Sequence, residues 1–352
     1  MFKKLFYFNR LPPYLIFFIT SRCNMRCQHC FFWQDINSQA QELTQDEIEK
    51  VARSLPGLLF MRITGGEPFL RLDIADIIGA FYKFSGLRRI GINTNGFLTA
   101  QIVESVKKML KEFKGLDLEV GISFDGLEER HDNIRQCPGA FKNALATFSA
   151  LKELKKDFAN LKLGFLVTLM KDNQDEFEPL FKFLASLNPD NIGLNLVRGE
   201  PVEARELEVD IEKYRNALAL INAFNQQRSS GNSWFAALRV AKTRLSQRII
   251  IRIVKDKIRQ IKCNAASKIA VLYADGNVSA CESSGYKLGN IRNYRYSFMD
   301  LWRSDARKKV ISEIEKRKCF CTHECFITSS LVFEPAGLLK IVGEAFFNRK
   351  RS

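Results

Sequence analysis

Tyr14-Leu15-Ile16-Phe17-Phe18-Ile19-Thr20-Ser21-Arg22-Cys23-Asn24-Met25-Arg26-Cys27-Gln28-His29-Cys30 sets the reading of this chain. Its first half is a continuous apolar run of strand length, the pattern of a strand covered on both faces. Its second half puts three cysteines on one short loop, spaced C-x3-C-x2-C. Thiolates so close together can hold three irons of a four-iron cluster and leave the fourth iron open to an exchangeable ligand. Two plainer readings compete: a zinc knuckle, and three buried cysteines that only pack. A structural zinc site wants four N or S ligands, and His29, adjacent to Cys30, is badly placed to complete such a set.

The same texture recurs outward from this loop. Strand-like runs at 14–20, 58–64, 89–94, 116–123, 162–168 and 192–197 alternate with helix-like runs at 44–55, 72–84, 102–113, 140–158 and 176–187. Thr44 with Glu47 three residues on is a capping-box start. Such alternation forces parallel strands with helices outside, as a barrel or an open α/β sheet. The polar motifs fall just after strands: Gly65-Gly66-Glu67-Pro68, Asn93-Thr94-Asn95-Gly96, Ser123-Phe124-Asp125-Gly126, and Asn195 with Arg198. That end of a parallel sheet is where sites are built. Singly, each motif reads equally as a turn or a strand-end cap. Arg198 suits either a bidentate hold on an anionic substrate or a salt bridge.

Beyond residue 200 the pattern changes. A helical stretch is expected from about 202 to 227, then a loop at Ser229-Ser230-Gly231-Asn232-Ser233. Residues 234–262 carry nine Lys or Arg against the single acid Asp256, with Leu238, Leu245, Ile249, Ile253 and Ile261 at helical spacing. This basic amphipathic helix is either a solvated face packed by its other side or a membrane-surface element. Tyr273-Ala274-Asp275-Gly276-Asn277-Val278 reads as a hairpin turn, flanked by Cys263 and Cys281. Cys319, Cys321 and Cys325 follow, and the tail holds Leu338, Leu339, Ile341, Val342, Phe346 and Phe347 before Arg349-Lys350-Arg351. Cys137 stands outside both cysteine groups and reads as structural.

Composition bounds the function. A chain of 352 residues, 46% apolar with 29 Phe, is globular with a substantial core. Its nine cysteines cluster at metal-site spacings rather than as a disulfide framework, which places them in a reducing compartment. Lys3 and Lys4 precede a short apolar run at 5–8 that Asn9 and Arg10 interrupt, too little for a signal-peptide core. No apolar run nears the roughly 20 residues of a membrane span. The expected location is cytoplasmic, with peripheral membrane contact compatible. The net charge of +15 favours anionic partners.

Together these motifs resemble the radical S-adenosylmethionine superfamily. Cys23, Cys27 and Cys30 match its cluster motif, Gly65-Gly66-Glu67-Pro68 its GGEP turn, and Asn93 to Gly96 its Thr-Asn-Gly strand end. Ser123-Phe124-Asp125-Gly126 with His131, Asp132 and Arg135 is similar to a stretch of members with added C-terminal clusters. The resemblance implies a partial (β/α)6 TIM-like barrel over 1–200, a helical connector over 201–262, and a small α+β cluster domain with a β-hairpin over 263–330. A basic amphipathic tail over 331–352 closes the chain. It further implies that Gly65, Gly66, Glu67 and Pro68 receive the methionine ammonium of the cofactor, with Asn95, Ser123 and Asp125 near its ribose or the substrate.

The C-terminal cysteines resemble the auxiliary-cluster domains called SPASM and twitch, supported by Gly276-x4-Cys281, Leu288 to Ile291 and Trp302. Five candidates for one further 4Fe-4S cluster remain, Cys263, Cys281 and Cys325 first, with Cys319 or Cys321 as fourth; a structural zinc site is the alternative. The activity implied is reductive cleavage of S-adenosylmethionine to a 5′-deoxyadenosyl radical, which takes a hydrogen atom from a substrate while the auxiliary cluster assists oxidation or bond formation. Implied partners are an electron donor such as flavodoxin or ferredoxin and a small-molecule or peptide substrate, anionic or lipid- or nucleotide-linked by the charge argument. The rival of another class is a non-catalytic iron–sulfur or zinc protein that docks on nucleic acid or membrane; with so many enzyme motifs in order, nucleic acid is the poorer partner.

Overall fold

The computed structural model describes residues 10–228, 234–282 and 285–349. The readings at Lys3, Lys4 and 5–8, the 229–233 loop and Lys350-Arg351 lie outside the described residues. The first half of the chain runs β1 (Tyr14–Phe18), α1 (Gln45–Arg53), β2 (Phe60–Thr64), α2 (Ile74–Ala80), β3 (Arg89–Thr94), α3 (Thr99–Glu112), β4 (Asp117–Ser123), α4 (Glu128–Arg135), α5 (Ala140–Leu154), β5 (Leu161–Leu169), α6 (Phe177–Ser186) and β6 (Asn191–Leu196). Neighbouring strands β1 to β6 pair in parallel, giving the α/β architecture expected from the alternation. The Thr44–Glu47 capping box forms on α1. Helix α4, short and polar, has no apolar periodicity by which the sequence would show it.

The second half follows with α7 (Ile211–Arg228), α8 (Trp234–Asp256), β7 (Ile269–Tyr273), β8 (Asn277–Ser279), β9 (Lys287–Asn290), α9 (Phe298–Arg303), α10 (Asp305–Arg317), α11 (Glu324–Phe333) and α12 (Pro335–Arg349). The helix expected from about 202 begins only at Ile211, because the Asp210 carboxylate accepts the Glu212 N–H at 2.7 Å and caps it there. The predicted hairpin forms as β7–β8, and β9 adds a third antiparallel strand. β7 also pairs in parallel with β1, Tyr14 opposite Ile269 and Phe18 opposite Tyr273. One nine-stranded sheet, β6-β5-β4-β3-β2-β1-β7-β8-β9, therefore carries both cysteine groups. The physical reason is in the sequence of β7, Ile269 to Tyr273, which is apolar at every position and needs cover on both faces.

Inside the curved sheet the wall is unusually thin. Gly121 on β4 and Gly193 on β6 line the interior, and Gly91 and Gly164 share that face through their pairing with Glu119 and Gly121. A Cβ on Gly91 would overlap the Arg62 guanidinium, and one on Gly164 the Asn191 amide. The glycines leave room for polar side chains to lie across the floor of a chamber.

Candidate active site

The cysteine loop leaves β1 and is clamped from three sides. Cys23 donates its N–H to Asn37 Oδ1 at 2.9 Å, and Asn37 Nδ2 donates back to the Cys23 carbonyl at 3.2 Å. The Gln28 N–H reaches the carbonyl of Ile134 in α4 at 3.0 Å. Below, the Gly66 and Glu67 N–H groups donate to Thr20 and Arg22 at 2.9 and 2.8 Å. Gly65 has φ +142°, and a Cβ on either Gly65 or Gly66 would overlap backbone of residues 20–22. The double glycine thus exists so that the second strand end can lie against the cysteine loop.

Glu67 is buried and ties the motifs together. Its carboxylate accepts from Phe69 N–H at 3.1 Å, Thr94 hydroxyl at 2.8 Å and Asn95 N–H at 2.7 Å. Asn95 Nδ2 in turn donates to Asn24 Oδ1 at 2.8 Å. Burial pushes the Glu67 carboxyl up to about 7 against the pull of these donors. Pro68 is buried as the first residue of a 3-10 turn.

Asp125 is fully buried and faces Arg135, with Thr168 N–H donating to it at 2.8 Å. The Arg135 guanidinium lies 3.6 Å from Cys27 Sγ. Asp125 is thus aimed at the support of the cysteine loop, whereas Ser123 and Asn95 line the open chamber. Arg198 is paired at 3.2 Å with Glu324 and 3.5 Å with Glu282, so the salt-bridge reading describes it.

One cavity of about 520 Å³ joins these parts. Cys23, Cys27 and Cys30 form one wall with Gly65, Gly66 and Glu67, and β3, β4 and β6 contribute Asn93, Glu119, Asn191 and Asn195. Lys242, Ser246 and Gln247 of α8 close another side. Among the described residues Lys242 makes no hydrogen bond or ion pair; burial lowers its pKa and Glu119 pulls the other way. Burial pushes Cys23 up to about 12 and Cys30 to about 11, and a bound metal would favour their thiolates.

The C-terminal cysteines separate. Cys263, Cys281, Cys319 and Cys321 surround a second cavity of about 320 Å³ between α8, α10 and α11. They are mutual electrostatic neighbours: Cys263 feels Cys319 and Cys281, and Cys321 feels Cys263 and Cys281. Cys325 instead lines the main chamber, near Tyr14 and Arg62. His323 stands between, against Glu282, held protonated up to about 9 although burial and Arg198 oppose it. Among the described residues no three His, Cys, Asp or Glu side chains close tightly enough for a single ion. Thiols ringed around cavities, rather than gathered on one point, fit multi-iron clusters better than zinc.

Comparison with known proteins falls on the same two regions. The Radical SAM superfamily model matches residues 17–184, and the SPASM model, an iron–sulfur cluster-binding domain, matches residues 263–326. The chain therefore carries a radical SAM domain and a SPASM domain. A radical SAM domain implies a four-iron cluster with S-adenosylmethionine, and SPASM an auxiliary iron–sulfur cluster. Among curated relatives, the GTP 3′,8-cyclase of Limosilactobacillus fermentum is 30% identical over 246 residues, 65% of this chain and 66% of that one. Molybdenum cofactor biosynthesis protein 1 of Bos taurus is 39% identical over 105 residues, 29% of this chain but 17% of that protein. The chain thus spans less than two thirds of the length of these relatives.

Among solved structures, Streptococcus suis SuiB bound to S-adenosylmethionine superposes with TM-score 0.63 at 16% identity, covering 95% of this chain and 78% of that one. The structure of anSMEcpe with bound AdoMet gives 0.58 at 18%, covering 96% and 98%. Both likenesses establish the fold. The cysteine loop and its two supporting turns are visible as motifs in the sequence. Lys242, Arg62 and Glu119 are not, because they lie singly on a helix and on strand interiors, and only the alternation of glycine with polar residues on β3, β4 and β6 hints at a hollow barrel.

Proposed function

We propose that this protein is a radical SAM enzyme acting on an anionic small molecule held inside the barrel. Cys23, Cys27 and Cys30 would hold the catalytic cluster, and the Gly65–Gly66 turn, Asn95 and Ser123 would bound the site of S-adenosylmethionine. When bound, these cofactors supply a carbon radical able to remove a hydrogen atom. The chain's own work is to orient and enclose. Glu67 locks the GGEP turn to the Thr94–Asn95 strand end, and Arg135 with Asp125 steadies Cys27. Cys263, Cys281, Cys319 and Cys321 would hold the auxiliary cluster, one helix away from the chamber.

The observation that carries the substrate class is charge. Arg135 is matched by Asp125, and Arg198 by Glu282 and Glu324. Among the described residues Lys242 has no hydrogen-bond or ion-pair partner, and it lines the chamber. A buried ammonium seeks an anion, and the Limosilactobacillus relative acts, by its name, on the polyphosphate GTP. A peptide is the second reading, supported by the structure of SuiB bound to its precursor peptide.

Anaerobic reconstitution should give two four-iron clusters and 5′-deoxyadenosine under dithionite. Deuterium from a labelled anionic candidate should appear in that product, and Lys242→Gln should raise KM for it about tenfold while substrate-free cleavage persists. Iron content should fall in Cys319→Ser and in Cys321→Ser and hold in Cys325→Ser. Two zinc ions and no cleavage would sink the reading.

A further inference from the structure

Helix α12 has two unlike faces. Ile341 and Ala345 are buried on the side that packs on α8. On another side Leu338, Leu339, Val342 and Phe346 stand 47, 73, 37 and 56% exposed. Phe235, at the start of α8, is 76% exposed, and the neighbouring Trp234 ring lies 4.8 Å from that of Phe346, which joins the two helices into one patch. Five of the eleven large apolar side chains exposed in the described residues fall here, so this is a surface rather than ordinary scatter.

The patch has a basic border. Arg248, Arg252 and Lys255 recur at i, i+4 and i+7 along α8 and are exposed. The Arg248 ion pair with Glu344 fixes this edge against α12. Exposed Arg239 and Lys340 add to it, and Asp256 is the one acid of α8. An apolar stripe bordered by cations matches an anionic bilayer surface: side chains enter the acyl boundary while the cations meet headgroups. A second copy would bring the same cations against these.

Packing argues against spanning, although α11 and α12 together reach the length and apolarity of a broken span: Phe326, Ile327 and Leu331 of α11 are buried inside the protein. The 15 residues of α12 reach about 22 Å, short of the hydrocarbon core. α11 and α12 meet at 92°, and among the described residues no single helix is long and apolar enough to cross.

We propose that the α8–α12 face docks this protein flat on anionic membrane. The same α8 lines the reaction chamber through Lys242, Ser246 and Gln247, so docking would fix the chamber wall at the lipid surface. The test needs no substrate. The anaerobic full-length holoprotein is floated with vesicles of phosphatidylcholine, with or without phosphatidylglycerol. It should float with the mixed vesicles, poorly with neutral ones, and be released by raised salt. Leu339→Glu with Phe346→Glu should weaken flotation about tenfold, and Arg252→Glu with Lys255→Glu at least as much on anionic vesicles, each with unchanged iron content and circular dichroism.

Failure of the wild type to float overturns the proposal, as does equal flotation of the apolar double variant. A concentration-dependent dimer that Leu339→Glu dissolves, with no vesicle binding, would assign the patch to self-contact and overturn it as well.

Discussion

Gly66 shows how much one missing methyl group carries. Its Cα lies against the backbone of Ser21 and Arg22, so any Cβ meets atoms that cannot swing aside. Gly66→Ala is expected to cost about 3 kcal/mol, the upper end for overpacking, and to halve or worse the iron retained after reconstitution; denaturant unfolding and iron assay check both. His131 gives a pH signature. Its Nδ1 accepts the Asp125 N–H at 3.0 Å, which requires neutral imidazole, and burial lowers its pKa to about 4 from the ordinary 6.5. A depressed histidine adds stability that is complete above 6.5 and drains as pH falls through about 4. Between pH 7.5 and 5.5 this residue should remove about 1.4 kcal/mol, and His131→Asn, which keeps an acceptor, should flatten the slope by about one proton. His29, lowered to about 4 chiefly by burial, contributes in the same direction and stays in both proteins. At this scale Cys23, Cys27, Cys30 and the double glycine were legible because their chemistry is local. Lys242 was not, because a lysine in a basic helix says nothing about which way it faces until the helix is packed.

Among the elements, β3 to β6 do the most with the least side chain. Their inward glycines open the chamber, and a Cβ added at Gly121 would meet only the Asn93 side chain closely, Oδ1 at 3.2 Å, which must give by a few tenths of an ångström. Gly121→Leu is therefore expected to fold and keep its iron, while its isobutyl group fills the chamber and cuts substrate turnover more than tenfold; substrate-free cleavage of S-adenosylmethionine is the control. The alternating strands and the main helices could be read from sequence: β1 and β7 are unbroken apolar runs, β3, β4 and β6 alternate apolar residues with polar ones and glycine, and the helices keep a 3.6-residue period. Helix α4 could not, being eight residues with few apolar ones, yet it carries His131 and Arg135. The tail 331–352 reads as basic and amphipathic, and what the sequence does not show is that α11 and α12 pack on α8, with Leu331, Ile341 and Ala345 buried.

Across the whole molecule, the sheet unites what the motifs suggest are separate domains. The pairing of β1 with β7 sets the auxiliary region against the barrel edge. A chain ending at residue 262 would leave β1, buried at every position, with one bare edge. Such a truncation should aggregate in size-exclusion chromatography while the full chain elutes as a defined species. Hairpin and cysteine spacing were visible in the sequence; the parallel join was not, since nothing local in residues 269–273 names residues 14–18 as its partner.

That join also dictates an order of events during biosynthesis. Tyr14 leaves the ribosome some 255 residues before Ile269, one of its two flanking partners. The sheet beneath Cys23, Cys27 and Cys30 is complete only once residues 269–273 have been translated. A cluster seated on the loop before then would rest on a sheet still missing its β1–β7 join.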